Sequence, residues 1–190
     1  MRCSQALSAA AAAAALIAFI AGCAGAAAGG VAGTAVVAHD TRTTGTFIED
    51  QAIELKALRR LSGHDQVHVN VTSYNTVVLV TGEAPTEELR REVIDVVRNI
   101  EKVRRVHDEI TIAAPSSMTA RTSDTIITGK VKTQLFGIKG FDATRVKVVT
   151  EKGVVYLLGL LTREEAERVT DVARRVGGVQ RVVKLFEYSS

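Results

Sequence analysis

The chain has 190 residues, 46 % apolar and 24 % charged, with a formal net charge of +3. This composition excludes a disordered chain and a collagen-like fibre, and the charge is too small to point to nucleic acid by itself. Both cysteines, Cys3 and Cys23, lie in the opening stretch, so the sequence beyond them holds no disulfide and no thiolate metal site.

Arg2 is the only early charge. From Ala6 to Ala21 there is none, and Leu16, Ile17, Phe19 and Ile20 end an apolar run that is short for a membrane span. Residues 1–22 therefore read as a secretory signal peptide. The segment Ile20-Ala21-Gly22-Cys23 resembles a bacterial lipobox. The resemblance implies that Cys23 carries diacylglycerol on its sulfur, becomes the mature N-terminus and is then N-acylated, for instance with palmitate. Two or three acyl chains hold a protein on a bilayer almost permanently. The alternative is an ordinary signal peptide cleaved slightly later. In such lipoproteins Ala24, rather than Asp, after the cysteine looks like an outer-membrane destination. Residues 23–45 are rich in Ala and Gly and read as an acylated tether, although Gly25, Gly29 and Gly33 also have the spacing that packs helices in lipid.

The remainder is one unit written twice. Val77–Gly82 matches Val154–Gly159, and Glu87-Glu88 matches Glu164-Glu165, both at an offset of 77. Val103–Val106 matches Val179–Val182 at 76, and Asp50, Ile53, Lys56 and Leu61 match Asp124, Ile127, Lys130 and Leu135 at 74. The drifting offset places insertions in loops. The units are expected at residues 46–113 and 122–190, joined by a linker at 114–121.

Each unit opens on a helix. Asp50 and Asp124 are expected to be its N-cap or a first-turn acid. Ile53, Ala57 and Leu61, with their copies Ile127, Val131 and Leu135, form its core stripe. Val67, Val69 and Val71 alternate with polar residues, as do Val146 and Val148, which predicts a half-buried strand. Asn75 and Lys152-Gly153 are turn residues. An unbroken apolar run then closes at Gly82 or Gly159, the pattern of a strand buried on both faces. Thr86 and Thr162 start a second helix with acids in its first turn and Arg98, Arg174 and Arg175 near its end, matching the helix dipole. A last strand spans Val103–Ile112 and Val179–Tyr188. The order is αββαβ. The fold class is α+β: two tandem sandwiches, each with two helices on one face of a three-stranded mixed sheet.

The glycine closing the second strand, the Glu-rich helix start and the Val-x-x-Val of the last strand resemble the BON domain. A lipobox followed by two such units is similar to the dual-BON outer-membrane lipoproteins. The resemblance implies phospholipid binding, a place on the periplasmic face of the outer membrane with enrichment at the division site, a role in envelope integrity, and no catalysis.

No motif for catalysis or metal binding emerges. His39, His64, His68 and His107 are spread out without ligand spacing and are expected to be solvent-exposed. Gly129-Lys130-Val131 lacks the upstream glycine and the Ser/Thr of a phosphate-binding loop. The Glu87-Glu88 and Glu164-Glu165 pairs point apart on a helix and fit its dipole rather than acid–base work. No cofactor and no metal are expected.

Charge separates the two units. Residues 45–114 hold 9 Lys/Arg against 12 Asp/Glu, a net of −3, and residues 122–190 hold 12 against 8, a net of +4. The basic unit suits an anionic membrane surface, or the halves attract each other. On the second unit's first helix the face opposite the core stripe shows Ile126, Gly129, Lys130, Thr133 and Phe136, flanked by Lys132. Large apolar groups beside ammonium groups are the pattern of an interfacial helix. These six residues are the expected lipid-binding set, and Cys23 is the expected lipidation site. Leu55 and Leu58 at the matching face of the first unit are expected to contact protein, either the second unit or an envelope partner. The function expected is a lipid-anchored periplasmic module docking on anionic phospholipid. The alternative is an adaptor that binds envelope proteins or cell-wall enzymes.

Overall fold

The structure is a computed structural model and describes residues 44–114 and 118–189. Cys23, the signal peptide and nearly all of the tether lie outside the described residues. The first repeat contains α1 (Thr44–Leu61), β1 (His68–Tyr74), β2 (Val77–Ala84), α2 (Glu87–Arg98) and β3 (Arg105–Ile112). The second contains α3 (Met118–Phe136), a 3-10 turn (Ala143–Arg145), β4 (Val146–Glu151), β5 (Val154–Leu161), α4 (Arg163–Ala173) and β6 (Arg181–Tyr188). In each sheet the second strand is central, antiparallel to the first and parallel to the third. The architecture is the α+β, twice-repeated αββαβ order expected from the repeat.

The first helix of each repeat starts earlier than expected. Residues 44–45 belong to α1 and residues 118–121 to α3, rather than to tether and linker. Asp50 and Asp124 therefore cap no helix. Each sits inside its helix with its side chain turned inward, and the backbone it serves is a hairpin. Asp50, 1 % exposed, accepts the Ser73 hydroxyl at 2.6 Å and the amides of Asn75 and Thr76 at 2.8 Å. Asp124 accepts the amides of Lys152 and Gly153 at 2.8 Å. Both hairpins turn in two residues of positive φ, Asn75 and Thr76 (51° and 61°) and Lys152 and Gly153 (49° and 73°). That is the tight turn whose twist suits antiparallel strands. Such a turn exposes amides that a buried carboxylate can hold.

The second helices start as expected. The Thr86 hydroxyl accepts the Leu89 amide, and Thr162 forms a reciprocal capping box with Glu165. The central strands run two residues past their glycines, to Ala84 and Leu161. Gly82 has φ +122°, and a Cβ there would meet His68 O at 2.0 Å. Only glycine lets β1 and β2 approach this closely.

Three apolar clusters set the layering. Ile53, Ala57, Val78, Val80, Val93 and Val97 fill the space between α1, α2 and the first sheet. Ile127, Val131, Leu135, Val155, Leu157 and Val169 do the same in the second repeat. The third cluster joins the repeats: Tyr74 and Leu79 meet Tyr156 and Leu158 from the opposite sheet faces. The layers thus run helices, sheet, sheet, helices, and each central strand owes the burial of its second face to the other repeat. Polar contacts line this seam. Tyr74 Oη donates to Arg145 O at 3.0 Å, Tyr156 Oη donates to Glu109 at 3.2 Å, and Lys147 Nζ donates to Glu54 at 2.6 Å and to Ser73 O at 3.1 Å. Arg104 pairs with Glu187 at 2.8 Å, and Lys152 with the fully buried Glu83 at 3.0 Å.

Candidate functional site

The core stripe of α3 is buried as expected at Ile127, Val131 and Leu135. Rotation by about 100° per residue then turns Ile126, Gly129, Lys130, Lys132, Thr133 and Phe136 outward, and all six are exposed. Ile126 is 53 % and Phe136 66 % exposed, high for side chains of this size. A Cβ at Gly129 would meet nothing within 4 Å, so the helix is open on that side. The Thr133 hydroxyl donates to Gly129 O at 2.9 Å and is already engaged by its own helix.

A cleft of about 280 Å³ separates α3 from the end of α4. It is lined by Lys130, Gln134, Val172, Arg175, Val176 and Gly177. Arg175, expected only to complement the helix dipole, also lines this cleft. Neither Lys130, Lys132 nor Arg175 makes an ion pair among the described residues.

The first repeat supplies the contrast. There Lys56, the copy of Lys130, pairs with Glu101 at 3.2 Å. At the offset of 76 that governs this region, Glu101 corresponds to Gly177 and Asn99 to Arg175. The matching cleft of the first repeat is lined by Arg60, Glu92, Asp95, Val96 and Asn99. Glu92 and Glu101 of the first repeat thus correspond to Arg168 and Gly177, while Asp95 is kept as Asp171, which pairs with Arg174 at 2.8 Å, and the second repeat gains Arg175. The charge difference is written in the sequence of the two repeats, but only the fold brings Lys130, Arg175 and Gly177 to one cleft.

Leu55 and Leu58 do not face the second repeat. The seam is made by the sheet backs, and these leucines are 46 % and 69 % exposed on α1. The described histidines are not solvent-exposed as expected. His64, His68 and His107 are all partly covered, and His64 lies 3.2 Å from Glu92. Burial, then the charge of Arg105, holds the His107 imidazole below its ordinary value despite Glu109. No group of three or more His, Cys, Asp or Glu that could hold a metal exists among the described residues. Glu87 is spent on Arg90 and Arg91, and Glu165 on Arg145 and its own helix cap.

Two αββαβ sandwiches, each with a hairpin held by a helix carboxylate and a glycine in its central strand, define a tandem domain of one family. The BON-domain family model matches residues 49–114 and 123–190, and the chain belongs to that family. It is 36 % identical over 158 residues to outer membrane lipoprotein DolP of Haemophilus influenzae, covering 81 % of this chain and 82 % of that one. It is 33 % identical over 153 residues to the 21 kDa hemolysin of Actinobacillus pleuropneumoniae, covering 78 % and 79 %. Over 144 residues it is 28 % identical to osmotically-inducible protein Y of Escherichia coli, covering 73 % and 72 %.

Proposed function

We propose that this chain is an outer-membrane lipoprotein, anchored through Cys23 on the periplasmic side, whose second repeat docks on anionic phospholipid and so supports envelope integrity. The likeness to an outer membrane lipoprotein supports the location. The single observation that supports lipid as the ligand is the α3 cleft, where Lys130 stands without the carboxylate that Glu101 gives Lys56 and Arg175 replaces Asn99, beside exposed Ile126 and Phe136. Ammonium and guanidinium groups at a bilayer attract anionic headgroups, with about 1 kcal/mol per cation close to the surface. The apolar side chains on the same face insert among the acyl chains. The work is binding, with no bond made or broken.

Flotation of an unacylated chain starting at Ala24, with vesicles of phosphatidylcholine alone or mixed with phosphatidylglycerol, tests this. Binding is expected only to the anionic vesicles. Ile126→Asp is expected to weaken it at least about tenfold, since burial of a large apolar side chain contributes roughly 1.5–3 kcal/mol and about 1.4 kcal/mol is a factor of ten. Lys130→Glu weakens it in a salt-dependent way. Binding that ignores both changes, or responds equally to Ala52→Asp and Lys56→Glu in the first repeat, overturns the reading. Enrichment at the division site goes with this location, and envelope protein partners belong to the adaptor reading that the exposed Leu55 and Leu58 support.

A further inference from the structure

The first repeat has a groove of about 480 Å³ along the free edge of its sheet, with Leu55, Leu58 and Leu61 of α1 on one side and Val67, Val69 and Val71 on the other. We propose that this groove takes an extended, uncharged peptide segment of a partner protein, which adds to the edge of β1 as a further strand.

The second repeat shows why the groove exists. Between the first helix and the first strand the offset grows from 74 to 77, so the second repeat has three extra residues there. Its longer connection carries Ile138, Phe141 and Ala143 onto the core, and Val146 and Val148 beneath are buried. The first repeat lacks this cover, and Val69 and Val71, the copies of Val146 and Val148, are only partly buried. What fills the place in one repeat is apolar polypeptide, and the same chemistry fits the other.

The backbone selects an extended form. Among the described residues β1 pairs with β2 alone. Ser73 N–H points away from β2, because it donates to Glu54 at 2.8 Å, and Ser73 O accepts from Lys147. Strand alternation turns the N–H and C=O of Val71 and Val69 to the same outer side. One end of the edge is therefore blocked by an ion pair, while the other offers two residues' worth of ladder beside an apolar wall. Glu54 is neutralised by Lys147 at 2.6 Å, which leaves the groove without net charge and favours an uncharged segment. The leucines are not there for the fold. The second repeat builds the same helix with Gly129 and Lys132 at the positions of Leu55 and Leu58. Main-chain bonds supply the affinity of such strand addition, and alternate side chains its specificity.

The test uses the chain from Ala24 and a terminally blocked heptapeptide of alternating Thr and Val. Saturable binding is expected, with slowed hydrogen exchange at the Val69 and Val71 amides. Leu58→Lys, which copies the second repeat and leaves the fold intact by circular dichroism, is expected to weaken binding at least tenfold, and Leu55→Gln to weaken it in the same direction. A peptide N-methylated on its ladder-forming side is expected not to bind. Absence of saturable binding, or indifference to Leu55, Leu58 and N-methylation, overturns the proposal. So does a concentration-dependent dimer of the peptide-free chain that Leu58→Lys abolishes, which would assign the groove to a second copy. Protection of Val69 and Val71 by phosphatidylglycerol vesicles alone would assign it to lipid and also overturn the proposal.

Discussion

A single carboxylate organises each hairpin. Asp50 holds two turn amides and one hydroxyl, Asp124 two amides. Removing a buried acceptor leaves its donors unsatisfied, at about 1–3 kcal/mol each. Asp50→Ala is thus expected to destabilise by roughly 3 kcal/mol or more, and Asp124→Ala by less, as urea denaturation will read; the reverse order would refute this account. Glycines divide in the same way. Gly82→Ala drives a Cβ into His68 O and is expected to cost several kcal/mol, whereas Gly129→Ala in an open helix position is expected to add about 1 kcal/mol. Glu151 contributes one part of the pH dependence. Burial first, then the carboxylates of Glu83 and Asp124, push its carboxyl above the ordinary value, against Lys152 and Asn70. A carboxyl raised in the folded chain binds its proton more readily there than in the unfolded one. Its favourable contribution is full below the ordinary carboxylate range and is lost as pH rises through the raised value. Glu151→Gln is expected to flatten that part of the stability–pH curve, and an unchanged slope would exclude Glu151 as its source.

Elements that follow local rules were legible in the sequence, and elements that answer to distant partners were not. The central strands, the alternating edge strands, and the Thr86 and Thr162 caps follow from periodicity and a three-residue spacing. The starts of α1 and α3 do not, because neither helix has an acid in its first turn. Asp50 and Asp124 carry the strongest local signal of a helix start, yet both point at a hairpin more than twenty residues away. The outer face of α3 was placed correctly by helical geometry. Arg175 was not, since a cation at the end of a helix has a sufficient local explanation. The cleft comparison gives an element-level prediction. Gly177 has no positive φ and open space around its Cβ, so Gly177→Glu restores the counter-charge that Glu101 provides for Lys56. Binding to phosphatidylglycerol vesicles is expected to fall several-fold at low salt, with little change in melting temperature. Undiminished binding would mean that Lys130 and Arg175 are not the cations that matter.

In the whole molecule the two repeats share their middle layer. Tyr74, Leu79, Tyr156 and Leu158 are all at most 3 % exposed, and none belongs to the core of a single repeat. Urea unfolding is therefore expected to show one transition for both repeats, and Leu79→Ala to shift that transition by about 2–5 kcal/mol as large-to-small core changes do. Two separable transitions would show that the seam contributes little. The two candidate surfaces lie on different helices, α1 packing on the first sheet and α3 on the second. The seam has one more consequence. A chain severed between residues 114 and 118 leaves two fragments, each with an apolar sheet back that matches the other's, and with Lys147, Glu187 and Tyr156 ready to re-form their bonds. Mixed, the halves are expected to reconstitute the native molecule as a complementing pair, in the manner of a split reporter.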